Sequence, residues 1–247
     1  MKAAIVIPAR YKSSRFPGKP LKKILNKEMI IRVAEKCKKV FGKNSVFIAT
    51  DNYKIFDKVK EYGFQGIYTS KNCLTGTDRV AEASRKIKSK IYINVQGDEP
   101  LIKPADIKRI IKAKQKYPNH VICGYTEISK NENPLNKNIP KVAFNNKNEL
   151  IYISRSLVPG SKTKIMKEFK YMKQVCIYAF NKEELEHFYR FKKKSNLEKV
   201  EDIEILRFFE LGKKIKMVKT SKGSIAVDTN SDLKKVEKII KFYEKKN

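Results

Sequence analysis

Residues 3–21 read AAIVIPARYKSSRFPGKPL, and this stretch decides the fold that we predict for the chain. Its first part, residues 3–8, is apolar and stops at a proline, which is the pattern of a short buried strand. The loop that follows carries Arg10, Arg15 and Lys19. Cations this close together repel one another unless an anion lies among them. Because ligands of open α/β sheets bind beyond the carboxyl ends of the strands, we interpret this loop as a triphosphate site.

Further along the chain, strand-like apolar runs alternate with amphipathic segments. Strands are predicted at 45–50, 65–69, 91–95, 121–126, 174–180 and 215–218. Helices are predicted around 29–40, 55–62, 80–87, 107–111, 183–191, 201–211 and from 231 onward. This alternation is typical of the α/β class, with a parallel sheet covered by helices on both faces. The run 91–95 contains no charge, so we expect it near the centre of the sheet.

The pattern changes between residues 127 and 180. Asn, Pro and Lys dominate up to about residue 140, and the runs 141–144 and 150–154 then flank a turn as a β-hairpin. We expect an insert lobe over about 127–180 within a single domain that spans 1–247. A two-stranded hairpin is marginal in water unless its apolar face is covered, which favours a homodimer.

The formal net charge of +30 suggests nucleic-acid binding at first sight. However, only nine of the 56 basic residues are Arg, and the Lys residues are spread over every segment. Proteins that bind nucleic acid usually concentrate Arg and aromatic residues on one face. We therefore predict no nucleic-acid partner and keep a non-catalytic nucleic-acid-binding protein only as a weaker alternative.

Cysteine spacing and hydropathy bear on the compartment. The four Cys residues are far apart and show no zinc-binding spacing, which is typical of thiols in a reducing cytoplasm. No apolar run approaches the roughly 20 residues that a membrane span needs, so we predict no membrane insertion. Residues 3–8 are expected to form a buried strand rather than the core of a signal peptide.

Two carboxylates follow apolar runs far apart in the sequence. Asp98 lies in NVQGDEP at 94–100, and Asp228 lies in AVDT at 226–229. Mg²⁺ binds few protein carboxylates and takes its other oxygen ligands from water and substrate phosphates. We therefore predict that Asp98 and Asp228 hold Mg²⁺, although a lone Asp after a strand more often caps a helix.

These motifs together resemble the CMP-Kdo synthetases, the 3-deoxy-manno-octulosonate cytidylyltransferases, over nearly the whole chain. The motifs that carry the resemblance are the loop at 8–21, Ala49-Thr50-Asp51, residues 75–79, 94–100, Ser154-Arg155, Ile177-Tyr178, Glu204 with Arg207, and Val227-Asp228-Thr229 with Asp232-Leu233. The resemblance implies a three-layer, Rossmann-like nucleotidyltransferase fold with a small β lobe for dimerisation. It also implies transfer of CMP from CTP to the anomeric hydroxyl of a 3-deoxy sugar acid, for lipopolysaccharide synthesis.

The resemblance also implies roles for individual residues. Arg10, Arg15, Lys19 and Asp98 would be catalytic. The nucleotide would contact these four residues and also Ala9, Thr75, Gly76, Asp78 and Arg79. The sugar acid would contact Gln96, Arg155, Gln174, Tyr178, Glu204 and Arg207.

The side of the site that would face the sugar departs from the family pattern. The family commonly has Arg-His-x-Gly before Ile177-Tyr178, where this chain has residues 173–176, KQVC. The family's Glu-Gln-Leu-Arg is here residues 204–207, EILR. Losing polar partners in a site built for hydroxyl groups weakens binding of the original substrate, so a different sugar is an open alternative. The alternatives are 8-amino-3,8-dideoxy-Kdo and a sialic or legionaminic type of acid.

Overall fold

The structure is a computed structural model that describes residues 3–12, 16–162, 168–221 and 225–244. Arg15, one of the predicted triphosphate ligands, lies outside the described residues. The strands are β1 (Ala3–Ala9), β2 (Lys23–Ile24), β3 (Lys27–Glu28), β4 (Val46–Thr50), β5 (Gln65–Tyr68), β6 (Ile91–Val95), β7 (Val121–Glu127), β8 (Lys141–Phe144), β9 (Leu150–Ser154), β10 (Met172–Phe180) and β11 (Ile215–Lys219). The helices are α1 (Met29–Phe41), α2 (Tyr53–Glu61), α3 (Gly76–Ser84), α4 (Pro104–Lys116), α5 (Lys182–Arg190), α6 (Asn196–Glu201), α7 (Ile205–Glu210) and α8 (Asn230–Glu244).

The central sheet runs in the order β11-β7-β10-β6-β1-β4-β5. Strands β4 and β6 both pair with β1 in parallel, and β5 continues this parallel set beside β4. Strand β6 therefore lies in the middle of the sheet, as its lack of charge predicted. The sheet is parallel in most of its pairings, as predicted, except that β10 runs antiparallel to both β6 and β7.

Two hydrophobic cores cover the two faces of this sheet. Because successive side chains of a strand point to opposite faces, Ala4 and Val6 of β1 enter one core, and Ile5 and Ile7 enter the other. Helices α1, α2 and α4 pack into the core of Ile5 and Ile7, whereas α3, α5 and α7 pack into the core of Ala4 and Val6. This arrangement confirms the predicted α/β class with three layers.

Local signals explain where several helices begin and end. Helices α3 and α5 begin with capping boxes, formed by Thr75 with Asp78 and by Asn181 with Glu184. After α2, Gly63 takes the left-handed conformation, φ 68°, which favours glycine and terminates the helix. The helix predicted over 201–211 is shorter in the structure, where α7 spans Ile205–Glu210, and the sequence analysis missed α6 at Asn196–Glu201.

The predicted hairpin forms β8 and β9 with the expected bounds. Strand β8 also pairs with β10, so the hairpin is continuous with the main sheet. Its apolar side chains Val142 and Leu150 are only 3% and 8% exposed, and Phe144 packs against Tyr125. The chain's own core thus covers this face, and the argument that the hairpin needs a second subunit was wrong. The homodimer itself, the insert lobe over 127–180 and the single domain stay predictions.

Within the described ranges, none of the helices combines the length and the apolar character that crossing a membrane requires.

Candidate active site

Lys19, Asp98 and Asp228 meet at one edge of the sheet. The Nζ atom of Lys19 lies 2.7 Å from Oδ2 of Asp98 and 3.0 Å from Oδ1 of Asp228. Lys19 and Asp98 belong to the loops after β1 and β6, which are parallel neighbours, so both loops leave the sheet at the same edge. The prediction that the two carboxylates converge despite their distance in sequence is consistent with this geometry.

A small hydrophobic cluster holds these segments together. Phe16 lies in the basic loop. It is 6% exposed and packs in one cluster with Val227, the residue before Asp228. The backbone N–H of Val227 donates to the carbonyl oxygen of Asp98 at 2.9 Å. Gly18 adopts φ 66°, a left-handed conformation that suits glycine, and directs the chain into a short helical turn at Lys19–Leu21. The ammonium group is therefore positioned by the fold.

The two carboxylates change the electrostatics of Lys19. Burial by itself lowers the pKa of Lys19, but the charges and hydrogen bonds of Asp98 and Asp228 outweigh it and raise the pKa above its usual value. The side chain of Lys19 is 15% exposed, against 25% for Asp98 and 37% for Asp228. Lys19 is therefore a charged group held between two anions at neutral pH.

The chemistry of the carboxylate pair suits a magnesium ion. Both oxygen atoms contact the same Nζ atom, so their separation cannot exceed the sum of the two contact distances. Mg²⁺ holds its oxygen ligands at about 2.0–2.1 Å and usually takes only one or two of them as protein carboxylates. The part of the chain that the structure describes shows no group of three or more potential metal ligands, so a metal caged entirely by protein is not seen there.

The other predicted phosphate ligands lie along the same loop. Ala9 is the last residue of β1 and is 3% exposed, so its contribution to a ligand site would come from the backbone. Arg10 follows it and has an exposed side chain. The charge of Arg10 acts on Asp202, so the loop lies near the segment between α6 and α7.

The turn at residues 75–78, which is part of the predicted nucleotide site, packs against the same edge of the sheet. Thr75 accepts from the N–H of Asp78 at 3.2 Å, and Asp78 accepts from the N–H of Thr75 at 2.8 Å. A Cβ atom at Gly76 would lie 3.3 Å from both the side chain of Gln96 and Cγ of Pro8, so the backbone of this turn packs closely against the ends of β1 and β6. This close approach explains why a glycine suits the position.

Two arginines next to this turn are buried in ion pairs. Arg207 has no exposed side-chain surface and binds Asp78 at 2.7 Å and Glu198 at 2.6 Å. Arg79 is 3% exposed and binds Asp51 at 3.0 Å. The predicted roles of Arg207 at the sugar and of Arg79 at the nucleotide stay predictions, and the geometry favours positioning roles for both.

Glu204 connects the turn at residues 75–78 with Gln96, one of the predicted sugar-binding residues. It accepts hydrogen bonds from the backbone N–H of Thr77 at 2.9 Å and from Nε2 of Gln96 at 3.1 Å. Burial raises the pKa of Glu204 above its usual value, although the hydrogen bonds from Thr77 act in the opposite direction. Glu204 and Gln96 thus lie together, as a shared sugar site requires.

Gln174 and Tyr178 lie deeper, on β10. Nε2 of Gln174 donates to the hydroxyl of Tyr178 at 3.1 Å, and both side chains are buried. Burial raises the pKa of Tyr178 well above its usual value, so this hydroxyl keeps its proton at neutral pH.

Arg155 makes contacts that the sequence did not suggest. Its Nε donates to the carbonyl oxygen of Glu201 at 2.5 Å, and its two terminal nitrogens donate to the carbonyls of Lys137 and Asp202 at 3.1 and 3.0 Å. The side chain is 32% exposed. The predicted contact with the sugar carboxylate stays a prediction, and it would require this guanidinium to exchange some of its backbone partners.

Sequence reasoning missed Glu198 and Asn94. Glu198 completes the ion cluster of Arg207, and the capping-box spacing with Ser195 was the signal that could have identified it. Asn94 is fully buried, and its Oδ1 has no hydrogen-bond partner within the described residues. Its Nδ2 donates to the hydroxyl of Thr77 at 3.3 Å, so the Asn94 side chain lies beside the turn at residues 75–78.

Comparisons with known proteins show which family the chain is similar to. The family model described as cytidylyltransferase matches residues 4–215. The 3-deoxy-manno-octulosonate cytidylyltransferase of Escherichia coli is 34% identical over 239 residues, which cover 97% of this chain and 96% of that protein. The 8-amino-3,8-dideoxy-manno-octulosonate cytidylyltransferase of Shewanella frigidimarina is 35% identical, with 96% of this chain and 98% of that protein covered.

A solved structure shows the same likeness in three dimensions. The structure of CMP:2-keto-3-deoxy-manno-octonic acid synthetase complexed with CTP matches with a TM-score of 0.91 at 35% identity, covering 98% of this chain and all of that one. Since the family model spans most of the chain and these relatives cover nearly all of it, the protein belongs to the cytidylyltransferase family of nucleotidyltransferase enzymes.

Proposed function

We propose that this protein transfers CMP from CTP to the anomeric hydroxyl of Kdo, a 3-deoxy sugar acid, and releases pyrophosphate, in the synthesis of lipopolysaccharide. The meeting of Lys19, Asp98 and Asp228 at the edge of a nucleotidyltransferase sheet carries this proposal. Relatives of the same length are named for this reaction, and the similar solved structure is described as complexed with CTP.

In the proposed reaction the anomeric oxygen attacks the α-phosphorus of CTP. A new P–O bond forms, the bond between the α-phosphorus and the oxygen of the leaving pyrophosphate breaks, and the hydroxyl proton passes to solvent. Arg10, Arg15 and Lys19 bind the triphosphate and balance the charge that develops on the pyrophosphate. Their contribution is positioning and electrostatic stabilisation, which supply most of the catalysis in transfer at phosphorus.

Asp98 and Asp228 are the residues that would hold Mg²⁺. When bound, the ion would neutralise phosphate charge and lower the pKa of the attacking hydroxyl. Within the protein, the backbone contact between Val227 and Asp98 orients the second carboxylate toward the first.

The remaining residues bind the two substrates. The turn at 75–78, with Arg79 behind it, forms the wall for cytosine and ribose. Gln96 and Glu204 face the sugar acid. Gln96 can donate hydrogen bonds to its hydroxyl groups, and Glu204 can accept hydrogen bonds from them. Gln174 and Tyr178 form the inner end of the sugar site, and Arg155 lies near the carboxylate of the sugar acid. We further propose that the enzyme works in the cytoplasm as a homodimer.

A second candidate substrate is 8-amino-3,8-dideoxy-Kdo. It is favoured by Gln174, which stands where the resembled family commonly has His and whose amide donates to Tyr178 rather than outward. Some relatives are named for the amino sugar, and their identities to this chain, 34% and 35%, are close to the 34% of the Escherichia coli relative. Both substrates undergo the same transfer, so only the distal end of the sugar differs.

The test is a measurement of pyrophosphate release by the purified protein. CTP, UTP and ATP are each offered with Kdo, 8-amino-3,8-dideoxy-Kdo and a sialic acid, in the presence of Mg²⁺. We expect CTP with Kdo to give the highest kcat/KM. A preference for the amino sugar would select the second candidate. No release with any pair would contradict the proposed function.

A further inference from the structure

The side chain of Lys19 occupies the position between the two carboxylates that the proposed metal needs. Its Nζ atom contacts Oδ2 of Asp98 and Oδ1 of Asp228 at hydrogen-bond distance. These carboxylates are the predicted metal ligands, so one ammonium group contacts both halves of the metal site. A cation and a divalent metal at such short range repel each other strongly.

This contact is built into the fold. Lys19 begins the short turn Lys19–Leu21, with Pro20 inside the turn and Gly18 in a left-handed conformation before it. Phe16 anchors the same loop in the hydrophobic cluster that contains Val227. The backbone positions of Lys19 and of the segment that bears Asp228 are therefore restrained together, and the Lys19 side chain must move before another cation can take its place between the two carboxylates.

We propose that Lys19 is the counter-ion of Asp98 and Asp228 in the nucleotide-free protein and that the triphosphate draws it away when CTP binds. Divalent metal and nucleotide then bind cooperatively, because the anion that captures Lys19 also takes its ammonium group away from the two carboxylates. This inference rests on the proposed function, since it assigns the triphosphate and the metal to this site. The coupling is reciprocal, so bound metal also favours nucleotide binding.

The chemistry of the three charges accounts for the exchange. A triphosphate offers several anionic oxygens to an ammonium group, whereas the two carboxylates together carry two negative charges. A divalent ion matches those two charges better than a single ammonium does. The exchange therefore pairs each cation with an anion and leaves neither half-buried carboxylate without a cation.

The experiment measures Mn²⁺ binding by calorimetry in the absence of nucleotide. Lys19→Met removes the ammonium and keeps a similar side-chain length, so we expect Mn²⁺ to bind roughly tenfold more tightly or better than to the wild type, within the usual range of coupling between sites. Lys19→Arg keeps the positive charge and should leave Mn²⁺ binding as weak as in the wild type. The control, Lys23→Met, removes a charge from the exposed side chain of a nearby lysine and should change nothing.

A second readout guards against misfolding of the variants. Metal that binds only the native state raises the midpoint temperature of unfolding, so Mn²⁺ should raise this temperature more in Lys19→Met than in the wild type. The double variant Lys19→Met with Asp98→Asn should lose the additional tight binding, which would place the ion at this pair of carboxylates.

Three outcomes overturn the inference. The first is a folded Lys19→Met protein that binds Mn²⁺ no more tightly than the wild type. The second is equal tightening in Lys23→Met, and the third is tight binding that survives Asp98→Asn. Failure of the proposed function is a separate result, because it shows as absence of pyrophosphate release by the wild type, whatever the metal titrations show.

Discussion

Arg207 donates two hydrogen bonds to the carboxylate of Asp78, at 2.7 and 3.2 Å, across 129 positions of sequence. The same guanidinium binds Glu198 through Nε and Nη2, and its carbon lies 3.8 Å from the centre of the Phe188 ring. Asp78 belongs to the capping box of α3, so Arg207 ties α7 to the turn that forms the proposed nucleotide wall. A contact of this kind positions a site without touching its ligand.

Replacing Arg207 should therefore weaken both the fold and the use of CTP. Arg207→Lys keeps the positive charge, but an ammonium group cannot donate paired hydrogen bonds to two carboxylates as a guanidinium does. We expect the free energy of unfolding to fall by roughly 1–3 kcal/mol, because carboxylate oxygens that Arg207 satisfies lose their donors. Urea unfolding measures this loss, and steady-state kinetics should show a higher KM for CTP.

The matched control is Arg109→Lys, which changes a 55% exposed arginine that also pairs with an aspartate, Asp106. We expect less than about 0.5 kcal/mol of destabilisation there, since surface ion pairs contribute little. Equal losses in the two variants would show that the burial of Arg207 does not matter.

Asp98→Asn should abolish most turnover and leave the fold intact. The substitution is nearly isosteric, but it removes one of the two negative charges that the proposed metal needs. We expect kcat to fall by a factor of about a hundred or more, the scale on which loss of one electrostatic contact to a transition state acts. Pyrophosphate release measures kcat, and circular dichroism checks the fold. Asp57→Asn, at an exposed carboxylate of α2, is the control, and full activity of Asp98→Asn would exclude the metal assignment.

Glu204 should make stability depend on pH in an identifiable window. Because the pKa of Glu204 is raised above its ordinary value of 4.5, the folded protein holds this proton more tightly than the unfolded chain does. Its contribution to stability is therefore greatest at low pH and declines as the pH rises above about 4.5. The glutamine of Glu204→Gln cannot ionise, so the stability of this variant should not show the decline with rising pH that Glu204 causes.

The measurement for Glu204 is urea unfolding of the wild type and of Glu204→Gln at several pH values between about 4 and 7. The free energy of unfolding of the wild type should fall relative to that of the variant as the pH rises. Glu61→Gln, at a carboxylate that is 58% exposed, should give a curve parallel to the wild type. A parallel curve for Glu204→Gln as well would contradict the raised pKa.

Arg155→Lys should raise the KM for the sugar acid more than the KM for CTP. The guanidinium binds the carbonyls of Glu201, Lys137 and Asp202 at once, and a lysine cannot span three acceptors in different directions. The segments that it holds lie on the proposed sugar side. Kinetics with each substrate varied in turn measure the split, and equal losses for both substrates would count against a role at the sugar.

The proposed homodimer is tested by light scattering. A dimer should give twice the chain mass of 28.7 kDa, and Arg155→Lys should not change that value. Because the chain's own core covers Val142 and Leu150, mutations on that hairpin face should lower stability rather than dissociate subunits. A monomeric mass at all concentrations would contradict the dimer.

The sequence by itself determined the elements and their class. The apolar run at 3–8, the uncharged run at 91–95 and the hairpin signals at 141–154 depend on local periodicity, which short windows of sequence contain. The rule that ligands lie beyond the carboxyl ends of parallel strands was enough to place Lys19 and Asp98 at one edge. Recognition of the loop at 8–21 added the reaction class.

Only the tertiary structure decided how distant segments pair. The antiparallel direction of β10, the covering of the hairpin face and the burial of Arg207 between Asp78 and Glu198 each depend on contacts between remote parts of the chain. The contact of Lys19 with Asp228 spans 209 positions, and no local pattern encodes it. Residue types show which charged side chains are present. Only packing determines which of these side chains are buried and which partners they contact, and burial and partners set the role of each charge.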